Sequence, residues 1–169
     1  MKHILILAFA FCLIVPANAQ EDNKSTTTTY YLIRHAEKDR TDKSNKNPDL
    51  TKEGHSRAEN WNNVFQNITF DAVYSTNYNR TIQTATPTAK SQSLEIKSYD
   101  PRNLFSDEFA NETKGKTVLI VGHSNTTPMF VNAILGEKKY EFIDDNDNGC
   151  LFIVTITNEV KIDQVLKIN

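Results

Sequence analysis

Cysteine is nearly absent from this chain: of 169 residues, only Cys12 and Cys150 carry a thiol. Cys12 lies in an N-terminal apolar segment, so the folded part has no cysteine pair and must hold itself together by its core. There is no Cys-x-x-Cys pair and no close His/Cys cluster, which removes the usual spacing of a zinc site. A dominant charge is lacking too, since 19 Lys and Arg face 21 Asp and Glu for a net charge of −2. Such a mildly acidic chain has no global field to draw nucleic acid or an anionic membrane. Nor is there an apolar run of the ~20 residues that a helix needs to cross a bilayer.

The apolar run over residues 4–15 instead has the makings of an export signal. Met1-Lys2-His3 is a basic start, Pro16 ends the run, and Ala17-Asn18-Ala19 is the small-x-small pattern of a cleavage site. The expectation is a signal peptide over residues 1–19 and a periplasmic or secreted product, with an uncleaved anchor as the alternative. Phe11 before Cys12 is too bulky for a lipobox, so no lipid anchor is expected. Removing residues 1–19 takes away Lys2 and leaves 18 basic against 21 acidic side chains, a charge near −3. The remaining 150 residues, 20–169, suffice for one domain with no stable membrane association.

Residues 20–29 read as a polar lead-in. Tyr30-Tyr31-Leu32-Ile33 suits a buried strand, and the charged stretch 38–49 suits a loop. Thr51 is a plausible cap for a helix whose Ala58, Trp61, Val64 and Phe65 share a face. Residues 70–74 look like a second strand, 78–86 a helix disturbed by Pro87, and 94–98 a third strand with a weaker helix after Pro101. Thr-Val-Leu-Ile-Val at 117–121 is the clearest buried strand. The next helix has Thr127 as its cap, Pro128 in its first position and Gly136 as its stop. Residues 151–157 and 160–168 flank Asn158-Glu159 as a closing hairpin. Strands alternating with helices imply an α/β fold, a three-layer sandwich with a central, mostly parallel sheet flanked by helices.

In open α/β sheets, ligands bind outside the carboxyl ends of the strands. Arg34-His35 follows the first strand, Gly122-His123 follows the strongest one, and Arg80 comes five residues after Ser75 ends the second. Two imidazoles and two guanidiniums can therefore converge on one sheet edge. Arginine offers paired donors that match phosphate oxygens at any working pH. A neutral imidazole is a good nucleophile near pH 7, which allows phosphoryl transfer in two steps. Helix amino termini add backbone donors for the anion.

Four segments carry a resemblance. Arg34-His35-Ala36-Glu37, then Leu50-Thr51-Lys52-Glu53-Gly54 with Arg57-Ala58, then Ser75-Thr76 with Arg80-Thr81-Ile82-Gln83-Thr84-Ala85, and finally Val121-Gly122-His123-Ser124-Asn125 stand in that order. They resemble the RHG/RHA, LTxxGxxRA, SxxxRTxQTA and GH(S/G) elements of the histidine phosphatase superfamily, in its phosphoglycerate-mutase-like branch. The resemblance implies a histidine phosphatase domain over residues 30–169, with His35 as nucleophile. It implies that Arg34 and Arg80 hold the phosphoryl oxygens, that His123 hydrogen-bonds the same group, and that no metal or other cofactor is needed. Ala36 stands where glycine is frequent. The general acid is open between Asp100 and Glu37, and Asp100 has a rival reading as the cap of a helix starting at Pro101.

The resulting expectation is a metal-independent phosphatase acting on small phosphorylated substrates through a phosphohistidine. The alternatives are a phosphoglycerate-type mutase, a protein phosphohistidine phosphatase and a non-catalytic phosphate-binding module. Lys38, Arg40, Lys43 and Lys46 could gate an anion or simply be solvated, and His55 is expected on the solvent side of its helix.

Overall fold

A computed structural model describes residues 26–168. The expected signal peptide and the first part of the polar lead-in, residues 20–25, lie outside the described residues. The elements are β1 (Thr27–Arg34), α1 (Lys52–Val64), β2 (Ala72–Ser75), α2 (Asn79–Ser91), β3 (Ile96–Ser98), α3 (Asp107–Thr113), β4 (Thr117–Gly122), α4 (Thr126–Leu135), β5 (Cys150–Thr157) and β6 (Val160–Lys167). They build one six-stranded sheet in the order β3-β2-β4-β1-β5-β6. The first four of these strands run parallel, while β5 and β6 are antiparallel additions beside β1.

Successive side chains of a strand point to opposite faces, and here both faces are apolar because both are covered. Tyr30 and Leu32 of β1, Tyr74 of β2, and Val118 and Ile120 of β4 join Phe109 of α3 and Phe130, Val131 and Ile134 of α4. On the opposite face Ile33, Val73, Leu119 and Val121 meet Trp61 of α1 and Ala85 and Ala89 of α2. The architecture is the expected three-layer α/β sandwich.

Local departures have local causes. β1 begins at Thr27, inside the stretch expected to be a polar lead-in, because pairing with β4 and β5 overrides its composition. In α1 Thr51 caps as expected, its hydroxyl accepting from Gly54 N at 3.0 Å. Its inward stripe is Ala58, Trp61 and Phe65, while Val64 is exposed. Pro87 does not end α2, which runs on to Ser91 with Thr84, Ala85, Thr88 and Ala89 buried. No helix starts at Pro101: the third begins at Asp107, capped by Ser106 Oγ accepting from Phe109 N. The fourth begins at Thr126 after Asn125, so Thr127 and Pro128 lie inside its first turn. Gly136 ends it in the left-handed conformation at φ 79°.

The β5–β6 hairpin turns on Asn158 and Glu159, with φ of 49° and 69°. Positive φ at both central residues is the geometry whose twist matches the flanking strands, and glycine suits its second position best. Glu159 therefore sits in a conformation that costs an L-residue roughly 1 kcal/mol. Glu159→Gly is expected to raise the melting temperature by about 2–4 °C for a domain of this size. A fall measured by calorimetry would show that the hairpin gains nothing from glycine there.

Candidate active site

The parallel strands deliver their carboxyl ends to one edge. Arg34 stands opposite Gly122, and Ser75 opposite Val121. His35 N donates to Gly122 O at 2.9 Å, extending the β1–β4 ladder by one step and setting His35 beside His123. Their rings lie 5.5 Å apart, edge to face. Gly122 has to be glycine, because a Cβ there would lie 2.8 Å from both Thr127 Oγ1 and Tyr99 Oη.

A cavity of about 320 Å³ opens at this edge, lined by His35, Lys38, Tyr78, Arg80, His123 and Asp145 together with the start of α4. His35 is almost fully buried, and its Nδ1 lies 2.7 Å from Ala36 O. A carbonyl oxygen can only accept, so Nδ1 carries the proton and Nε2 keeps its lone pair. Burial, reinforced by Arg34, His123 and Arg80, brings the pKa of His35 down to about 3. His123 is lowered to about 4, again by burial and then by Arg80, Lys38 and Arg34. Thr81 spends its hydroxyl proton on backbone carbonyls and so accepts from Thr76, which in turn accepts from His123 Nε2 at 2.9 Å. That chain leaves the Nδ1 lone pair of His123 facing Arg80 Nη2, 3.5 Å away.

Arg80 lies over the Tyr78 ring at 4.5 Å, and its Nε and Nη1 are buried without a partner. Unmatched buried donors are rare, and two on one cation in a cavity mark a place for an anion. Lys38 adds a further cation, its pKa lowered by burial and by Arg80 and Arg40. Among the described residues, no three His, Cys, Asp or Glu side chains gather as metal ligands would.

Other expected site residues fall elsewhere. Arg34 is fully buried and does not line the cavity. Its Nη1 donates to Asp144 O and Asp147 O at 2.8 and 3.0 Å, and its Nη2 to Asp145 Oδ1 at 2.6 Å. Glu37 turns away to take Arg57 Nε at 2.6 Å, so the arginine of the second segment braces the residue two beyond His35. Asp100 is exposed, accepts from Arg102 N at 2.9 Å and pairs with its guanidinium. Neither expected acid lines the cavity, and Asp100 caps no helix.

The remaining motif residues tie the site together. Gly54 lets α1 approach the loop after His35, since a Cβ would fall 2.2 Å from Glu37 O. Thr84 Oγ1 accepts from Ala36 N and donates to Arg80 O, and Gln83 accepts from Leu50 N. The Ala36 methyl packs against Leu50 and Ala58, which is why alanine fits where glycine is frequent. Asn148, whose amide donates to His35 O at 2.7 Å, and Asp145 carried no signal in the sequence.

Residues 30–101 match the family model of the histidine phosphatase superfamily, branch 1. That match spans 72 of the 169 residues, and over it the chain is similar to the histidine phosphatase superfamily. The span holds Arg34, His35 and Arg80, and the β1–β4 pairing adds His123 from beyond it. Solved structures share the fold. The alpha-ribazole phosphatase of Shigella flexneri superposes with a TM-score of 0.63 at 16% identity, over 83% of this chain and 96% of that one. The phosphoglycerate mutase of Bacillus anthracis gives 0.64 at 15%, over 84% and 93%. A phosphoserine phosphatase of Entamoeba histolytica gives 0.62 at 14%, over 81% and 95%. No curated protein matches the chain.

The imidazoles make a pH prediction. Both folded values lie below the ordinary 6.5, so below pH 6.5 the unfolded chain binds protons that the folded chain refuses. Their contribution is complete at pH 7, erodes as pH falls, and stops changing near pH 3–4 when the folded rings protonate too. Denaturant titrations without phosphate should show stability falling between pH 6.5 and 5. His123→Asn should flatten that slope by up to about 1.4 kcal/mol per pH unit. An unchanged slope would mean that the ring is not held neutral.

Proposed function

We propose that this chain is a phosphatase that hydrolyses small phosphomonoesters through a phosphohistidine on His35, without a metal. The observation that carries the reading is the free Nε2 of a neutral His35 in one cavity with the unpartnered Nε and Nη1 of Arg80. In the first step Nε2 attacks phosphorus and the bond to the ester oxygen breaks, its electron pair leaving with that oxygen, which takes a proton. In the second, water attacks phosphorus, the N–P bond breaks, and the imidazole recovers its lone pair.

Arg80 meets the charge on the equatorial oxygens, and such positioned donors are where most of the acceleration in phosphoryl transfer arises. A phosphoryl dianion beside His123 favours the protonated ring, whose Nδ1–H then donates to the same group. Ser124, Asn125 and Thr126, at the start of α4, line the same cavity, where the positive end of a helix favours an anion. A cleft of about 440 Å³ on the other side of the 144–149 segment offers neither histidine, and its Arg57 is already taken by Glu37.

His35→Ala is expected to abolish both hydrolysis of p-nitrophenyl phosphate and acid-labile labelling of the protein, while the folded circular dichroism spectrum is kept. Wild-type activity should survive EDTA. A phosphoenzyme still formed by His35→Ala, or activity lost to EDTA and restored by zinc or magnesium, would refute the mechanism.

We place this activity outside the cytoplasm, on the strength of the basic start, apolar run and Ala17-Asn18-Ala19 pattern of residues 1–19. Protein isolated from its native host should begin at Gln20 in a soluble exported fraction. Intact Met1 in a membrane pellet would show a retained anchor.

A further inference from the structure

We propose that Asp145 is the acid that protonates the leaving group, and the base that activates water in the second step. This inference rests on the phosphatase reading above. Ester oxygens of ordinary alcohols leave poorly as anions, so the first step needs a proton donor at the mouth of the pocket. Glu37 is committed to Arg57, and Asp100 to Arg102 outside the cavity wall. Among the described residues, Asp145 is the carboxylate that lines the His35 cavity.

Its position is held from the nucleophile itself. The carbonyls on either side of it, Asp144 O and Asp147 O, accept from Arg34, the residue immediately before His35. Asn148 Nδ2 donates to His35 O, and Ile143 N donates to Ser124 O, one residue past His123. Both ends of the loop are therefore pinned to the two strand ends that carry the imidazoles. The side chain between the pins is 59% exposed, so a leaving group at the cavity mouth can reach it.

The charges around it account for a donor that is ionised at rest. Arg34 and Arg40 each hold one carboxylate oxygen at 2.6 Å, and with Lys38 nearby they keep its pKa below the usual carboxylate range. The remaining titratable groups on the cavity wall are His35, Tyr78, Arg80 and His123. A phosphoryl dianion brings negative charge against the carboxylate and competes for the same cations, and both effects favour its protonated form. That proton, taken up from solvent water as the substrate binds, passes to the ester oxygen as the P–O bond breaks and leaves Asp145 ionised. It next accepts a proton from the water that attacks phosphohistidine and returns it to solvent when phosphate leaves, which restores the starting state. The balance closes with one water consumed and no other reactant.

Asp145→Asn and Asp100→Asn, compared on an alkyl phosphate and on p-nitrophenyl phosphate, test the proposal. Nitrophenolate hardly needs a proton. Asp145→Asn should therefore lose ~10²–10⁴ in kcat/KM on the alkyl ester and far less on burst formation of phosphoenzyme from the aryl ester. The alkaline limb of the alkyl-ester pH profile should vanish with it, while Asp100→Asn should match wild type within about threefold on both esters, as a residue without a proton-transfer role does. Equal losses of Asp145→Asn on both esters would reduce it to a counterion of Arg34 and overturn the proposal. So would no loss, or the ester-selective loss appearing in Asp100→Asn. A wild type that forms no phosphoenzyme from the aryl ester would overturn the phosphatase reading itself, and the acid with it.

Discussion

The pairing of β1 with β4 is the constraint on which the site depends. Arg34 opposite Gly122, followed by the bond from His35 N to Gly122 O, brings two histidines 88 positions apart in the chain to a ring separation of 5.5 Å. A slip of one residue would exchange the faces of the strand, turning Ile33 toward α3 and α4 and Leu32 toward α1 and α2. Both layers of apolar packing therefore enforce the register that the chemistry needs. Arg80 obeys the same geometry through β2, whose Ser75 aligns with Val121 just before α2 begins.

Burial then sets the chemistry. Imidazoles held neutral by lost solvation, and an arginine whose Nε and Nη1 find no partner, are each unfavourable in a folded protein. They persist because the two apolar clusters around them are large and because Thr76, Thr81, Thr84 and Asn148 hold the backbone and rings in place. On the phosphatase reading, an anion in the cavity meets those arginine nitrogens. On the same reading, stability given up at this edge becomes binding energy for the phosphoryl group.

Much of this was legible before any coordinates. The strand 117–121, the hairpin at Asn158-Glu159 and the helix stop at Gly136 rest on local rules of burial and backbone geometry, and local rules suffice for them. The convergence of His35, Arg80 and His123 follows from strand ends alone once the sheet is parallel. What escaped was long-range. Thr27 to Thr29 look like loop residues until β4 and β5 pair with them. Pro87 looks like a helix breaker until the buried face of α2 is seen to outweigh one missing hydrogen bond. Asp100 looks like a helix cap, yet its side chain closes a tight turn onto Arg102 instead. The acidic stretch 144–147 reads as solvated loop, and only the fold shows that it closes over a buried arginine.

Arg34 shows why that last element matters. The family resemblance makes it a phosphate clamp, but both of its terminal nitrogens serve the loop that precedes β5. A planar guanidinium can hold two carbonyls and a carboxylate at once, which a lysine ammonium on a flexible stem cannot do with the same precision. The residue before His35 thereby fixes the stretch of wall that carries Asp145. Its Nε remains buried and without a partner, so part of its charge is still uncommitted. Through Asp145 that charge is shared with Arg40 at the surface, 2.6 Å from the same carboxylate. An anion arriving at the mouth therefore meets a cation network that one carboxylate offsets only in part. Competition for those cations makes the protonation of Asp145 depend on whether the pocket is filled.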